Sequence, residues 1–229
     1  MVAENIHNIR QRIASACAIS GRKAEEVALI AVTKTFSSSL IQEAVDAGAV
    51  DIGENFVQEF TQKLTELPDK RIRWHFIGHL QTNKIKYIVN AVHLIHSVDS
   101  FKLGKELSVH AGRNARKVNI LVEVNTSEET SKFGVTPRST IGVIKDLALL
   151  PHINICGLMT IGPFLPNPEE SRPSFRMLRE VRDLVQNEGI SLPHLSMGMT
   201  NDFEVAIEEG STMVRIGTAI FGKREKSKR

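Results

Sequence analysis

The chain has 229 residues, 41% of them apolar, enough to fill one barrel-sized core or two small ones. Its formal charge is +3, but five basic residues and one acid crowd into 223–229, so residues 1–222 carry −1. A basic excess confined to a tail argues against a nucleic-acid surface, and no apolar run approaches the roughly 18 residues that cross a bilayer.

The charged N-terminus has no apolar stretch of the signal-peptide kind, so a cytoplasmic protein is expected. Cys17 and Cys156 match no metal or redox spacing, and no metal site is expected. The chain opens on a helical pattern, with Ile6, Ile9, Ile13 and Ala16 on one face and Gly21 as a stop. Eight short apolar runs follow: 27–34, 50–55, 73–78, 93–99, 118–125, 153–160, 193–198 and 212–217. Amphipathic helical segments separate them, and Gly48, Gly189 and Gly210 close three of these segments as left-handed caps. Thr136–Pro137 reads as a cap followed by proline at the first helical position. Strict alternation of strand and helix means parallel strands joined by right-handed crossovers. No Gly-rich phosphate turn follows the first run, as an open doubly wound sheet would show. The expected fold is a single (β/α)₈ barrel over 1–222 with an extra N-terminal helix, and 223–229 as a basic, disordered tail.

Active sites of such barrels lie at the C-terminal ends of the strands. Lys34 ends the first apolar run there, where desolvation would favour the neutral amine that attacks an aldehyde. The last two runs end in SMGMTND and RIGTAIFG. The hydroxyls of Ser196, Thr200 and Thr218, together with Gly198, Gly217 and a helix start, suit an anion such as phosphate. A lysine facing a phosphate site serves either a Schiff-base aldolase or pyridoxal 5′-phosphate. Arg215, two residues before Gly217, favours the second, because a guanidinium can only donate and suits an unprotonated pyridine nitrogen.

Six segments then carry a resemblance: AVTKT (31–35), IGENFVQE (52–59), WHFIGHLQTNK (74–84), GLMTIG (157–162), LSMGMTND (195–202) and STMVRIGTAIFG (211–222). Colinear over 28–222, they resemble the pyridoxal phosphate homeostasis proteins, related in fold to the N-terminal barrel of alanine racemase. The resemblance implies a fold type III barrel without the second β-domain, with the cofactor held as a Schiff base on Lys34 and Arg215 facing its ring nitrogen. It places Ser196, Thr200, Gly217 and Thr218 around the phosphate, and Asn55 and Met159 against the cofactor's faces. One departure is Thr200, where serine is expected; the hydroxyl survives.

The implied function is intracellular vitamin B6 homeostasis with an influence on amino-acid and keto-acid pools. Implied partners are the cofactor itself, apoenzymes that use it and free amino acids, and a monomer is expected. A racemase-like enzyme or a Schiff-base aldolase remains the alternative. Racemisation needs two acid/base groups, and the chain's one tyrosine, Tyr87, falls in a helical stretch after the third run. His75 is the remaining candidate, read as a histidine packed in an apolar core. A non-catalytic carrier is therefore expected.

Overall fold

In the computed structural model, residues 1–127 and 133–222 are described, and the expected tail at 223–229 lies outside them. Eight parallel strands close into a barrel in sequence order: β1 (Ala28–Val32), β2 (Asp51–Glu54), β3 (Arg73–Phe76), β4 (Leu94–Val98), β5 (Val118–Glu123), β6 (Ile153–Met159), β7 (His194–Met199) and β8 (Met213–Ile216). Each falls within its expected apolar run or oversteps it by one residue. Closure comes from β8 pairing with β1, with Ile30 opposite Arg215.

Helix α1 (Val2–Ile19) buries Ile6, Ile9, Ile13 and Ala16, the face read from their spacing. The outer layer continues with α2 (Ser38–Asp46), α3 (Val57–Glu66), α4 (Ile85–Ile88), α5 (Phe101–Arg113), α6 (Thr140–Ala148), α7 (Arg172–Asn187), α8 (Phe203–Glu208) and α9 (Thr218–Phe221). The stops behave as their chemistry dictates. Gly48, Gly189 and Gly210 all take positive φ, and the Thr136 hydroxyl accepts the Ser139 amide with Pro137 at the helix start. Helix α1 also straps the closing seam, because Asn5 Nδ2 donates to the Ile220 carbonyl at 2.8 Å and Arg12 pairs with Glu204 at 2.6 Å. Among the described residues no helix is long and apolar enough to cross a membrane.

Side chains of a strand alternate between its two faces, and the barrel sorts them accordingly. Leu29, Ala31, Ile52, Trp74, Phe76, Ile95 and Ile120 face the helices and join the main core. Ile30, Leu94, Leu121, Met159 and Met213 form a second cluster inside the barrel. The interior is not uniformly apolar, since His75, His96, Ser196 and Arg215 share it, each at most 5% exposed.

Strands β6 and β7 approach too closely at Gly157 for any side chain. A Cβ there would lie 1.9 Å from the His194 carbonyl oxygen. Gly157→Ala is therefore expected to lower stability by about 1–3 kcal/mol, the usual cost of overpacking, read as an earlier urea-unfolding midpoint.

Candidate functional site

A cavity of about 410 Å³ opens at the C-terminal ends of the strands. Lys34 enters it from the turn after β1, on the inward parity of Ile30 and Val32. Asn55 follows β2, Thr200 follows β7, Arg215 lies on β8, and Gly217 and Thr218 follow β8; all of them line the cavity. Val32, Ile77, Ile161 and Phe164 give it apolar walls. The two loops expected to act together do meet, with Thr218 Oγ1 donating to Thr200 Oγ1 at 3.3 Å. The Asn55 side-chain oxygen is buried without a hydrogen-bond partner among the described residues, an arrangement that costs free energy until a donor fills it.

Two expected site residues stand elsewhere. Met159 is 1% exposed and packs with Ile30, Leu94, Leu121 and Met213 in the barrel centre. Ser196 is fully buried, and its hydroxyl is engaged by Arg215 and His96. Neither lines the cavity. Gly198 also has a different use from the one its motif suggests. A Cβ there would come within 2.6 Å of Ala206 Cβ, so the glycine lets α8 pack against the end of β7.

Below the cavity the polar interior side chains form one line. Arg215 NH1 donates to Ser196 Oγ at 2.6 Å, and NH2 donates to the Thr160 carbonyl at 2.8 Å. Ser196 Oγ lies 2.9 Å from His96 Nδ1, His96 Nε2 lies 2.9 Å from His75 Nδ1, and His75 Nε2 lies 3.0 Å from Asp51 Oδ1. At the N-terminal end of the barrel Asp51 also accepts a two-point pair from Arg73.

The two ends of this line have fixed roles. Arg215 can only donate and an ionised Asp51 can only accept. Burial holds His96 well below its ordinary pKa, hence neutral. Burial pushes Asp51 upward, but the bonds from His75 and Arg73 outweigh it and bring the carboxyl to about 2. His75 is thus a member of a buried polar chain rather than the apolar-packed residue expected. Burial also brings the Arg215 guanidinium down to about 10, which leaves it charged at neutral pH.

Sequence reasoning missed Asp51, His96 and Glu123. A signal existed for two of them: in the strands DIGE and LIHSV, Asp51 and His96 are polar residues at inward positions. Glu123, on the inward parity of Leu121, is 6% exposed. Burial and the nearby Asp99 push its carboxyl up to about 7, while Arg215 pulls it down. Tyr87, by contrast, is half exposed on α4, between Lys84 and Lys86, as its helical setting suggested.

Residues 3–225 match the family model described as alanine racemase, N-terminal domain. A pyridoxal phosphate homeostasis protein of Aquifex aeolicus is 46% identical over 223 residues, 97% of this chain and 98% of that one. A crystal structure of an unknown protein from Bifidobacterium adolescentis superimposes with a TM-score of 0.92 at 40% identity, covering 96% of this chain and 94% of its own. The structure of PipY from Synechococcus elongatus with PLP bound superimposes with a TM-score of 0.85 at 32% identity, covering 97% and 100%.

Glu123 makes the folded state less stable as pH rises. A carboxyl raised from 4.5 to about 7 in the folded state disfavours folding fully above pH 7 and not at all below pH 4.5. Glu123→Gln should therefore stabilise the cofactor-free protein by about 3 kcal/mol at pH 8. The gain should shrink as pH falls through 7 to 4.5, and thermal melts of both proteins across that range would show it.

Proposed function

The chain belongs to the pyridoxal phosphate homeostasis proteins, built on the alanine racemase N-terminal barrel, and from this we propose that it holds pyridoxal 5′-phosphate on Lys34 and acts as a carrier that keeps and hands over the cofactor in vitamin B6 homeostasis. One observation carries this reading. An amine, a buried guanidinium and a pair of hydroxyls on two glycine-bearing loops converge on a single cavity of a size usual for small-molecule sites.

The residues present suit the cofactor's chemistry. Bound there, pyridoxal 5′-phosphate supplies an aldehyde carbon that condenses with a primary amine with loss of water, and a ring that draws electrons from that carbon. Lys34 is the one primary amine among the described lining residues. Thr200 and Thr218 offer hydroxyl donors to the phosphate, and Gly217 brings backbone to it without a side chain in the way. Asn55, with its unpartnered buried oxygen, would accept a hydrogen bond from a hydroxyl of the cofactor. Arg215, which can only donate, would hold the ring nitrogen unprotonated and so weaken the ring as an electron sink.

The same residues support a carrier over a racemase. Racemisation takes a proton from one face of a carbon and returns one to the other, so it needs a second acid/base group opposite Lys34. Among the described lining residues, Asp202 is the carboxyl available, and its Oδ1 already accepts the Met199 amide at 2.7 Å. His75 lies below, engaged by Asp51 and His96. The carrier reading goes with a cytoplasmic monomer whose partners are the cofactor, free amino acids and apoenzymes that receive it.

Lys34→Ala should fold with an unchanged far-UV circular dichroism spectrum yet lose the visible absorbance that borohydride bleaches. A variant that kept that colour would move the attachment to another lysine. Incubated with L-alanine in D₂O, the cofactor-loaded protein should show no loss of the Cα proton signal corresponding to a turnover above about 1 s⁻¹, low on the scale of ordinary enzymes. Rapid exchange accompanied by loss of optical rotation would make it a racemase instead.

A further inference from the structure

Behind the turn that carries Lys34 lies a buried charge cluster that the cofactor reading does not use. Lys63 on α3 is 5% exposed and Glu54 at the end of β2 is fully buried. The Lys63 ammonium donates three bonds: to Glu54 Oε1 at 2.6 Å, to Glu59 Oε2 at 2.8 Å and to the Thr33 carbonyl at 2.7 Å. The Thr33 hydroxyl donates to the same Glu54 oxygen at 2.5 Å. Glu59 Oε2 in turn accepts the Thr35 backbone N–H at 2.7 Å.

The geometry of these bonds is specific to one residue. The Thr33 carbonyl belongs to the peptide group before Lys34, and the Thr35 N–H belongs to the peptide group after it. Holding both planes fixes the backbone rotation of Lys34 and so the direction in which its amine leaves the chain. The same turn is strained, since Thr35 has φ +69°, a conformation in which a β-branched residue is an outlier. Strain of this kind persists only where the surroundings impose it, and it gathers at functional sites.

We propose that Lys63, with Glu54 and Glu59, is a positioning cluster that clamps the two peptide groups flanking Lys34 and the left-handed Thr35, so that the Lys34 amine meets the cofactor's aldehyde already oriented. The clamp rests on Lys34 being the attachment point. It acts through the backbone and touches no cofactor atom. Its contribution is preorganisation: an amine held in a near-attack geometry reacts far faster than one free to rotate. A buried cation with three acceptors, two of them carboxylates, is a costly way to stabilise a fold alone, and here the cost falls beside the one amine whose direction matters.

The test compares wild type, Lys63→Met and Glu59→Ala, each stripped of cofactor. Two probes are used: pyridoxal 5′-phosphate, and pyridoxine 5′-phosphate, which has the same ring and phosphate but no aldehyde. Glu59 is 27% exposed, so its truncation keeps the test available should Lys63→Met fail to fold. At limiting pyridoxal 5′-phosphate, the fraction of Lys34 fixed by borohydride, read by peptide mass spectrometry, should fall about ten-fold in either variant, the effect of one lost charge-assisted hydrogen bond. Binding of pyridoxine 5′-phosphate should stay within two-fold of wild type, about the reproducibility of such titrations and far below that loss. Amide exchange at Thr35 should accelerate while that of the strands does not. Equal weakening of both probes, or labelling at the wild-type level with wild-type exchange at Thr35, overturns the clamp. Wild type that takes no label at Lys34 overturns the attachment itself, and the clamp with it.

Discussion

A guanidinium buried inside a closed barrel has to be held, and the interior is arranged around that need. Arg215 keeps its charge at full burial, where an ionised group without partners would cost many kilocalories per mole. Its partners are the Thr160 carbonyl at the end of β6 and the Ser196 hydroxyl on β7. Ser196 Oγ also meets His96, and His96 meets His75. The line stops only at Asp51, a group that accepts without donating. Cation and anion therefore sit at the two ends of a hydrogen-bonded chain that runs from the cavity floor to the N-terminal end of the barrel. Buried polar networks stabilise only when fully satisfied, and this one is satisfied at every link.

That constraint sets what the cavity can do. With Ser196 engaged below, it is the loop hydroxyls of Thr200 and Thr218 that face the opening, and the floor is a cation with donors only. The amine comes from across the mouth, on the strand that closes the barrel against β8. Because Ile30 pairs with Arg215 in register, Lys34 and Arg215 reach the same cavity from neighbouring strands at different heights. A closed sheet keeps such offsets rigid, where an open edge would let them slip.

The helical layer contributes to the mouth as well as to the core. Helix α3 buries Val57 and Phe60 against the barrel, yet on the same helix Lys63 turns toward the strand ends and bonds the Thr33 carbonyl. Helix α8 packs close enough on β7 to require glycine at 198, which sets where the Thr200–Asp202 turn can lie. Stability and positioning thus come from the same contacts, and substitutions on the outer layer act on the cavity through backbone rather than through touch.

Much of this was legible beforehand. Alternating runs of period 2 and period 3.6 specify strand and helix locally, so the barrel, its order and most boundaries follow from short-range patterning. Strand-end position marked Lys34, Arg215, Gly217 and Thr218 as facing one mouth, the resemblance added Asn55, and the glycine stops showed in their places along the chain. Tertiary structure decided the partners. Ser196 and Met159 carry the right parity but stand one layer too deep to line the cavity, because height in a barrel depends on the stagger between strands, which no single run encodes. His96 meets Ser196 across 100 positions of chain. Lys63 lies on an amphipathic helix, and only the crossover geometry brings it to the lysine turn. The sequence by itself determined which residues point inward. Only closure of the barrel decided which of them touch, since contact across the interior depends on the shear of eight strands together.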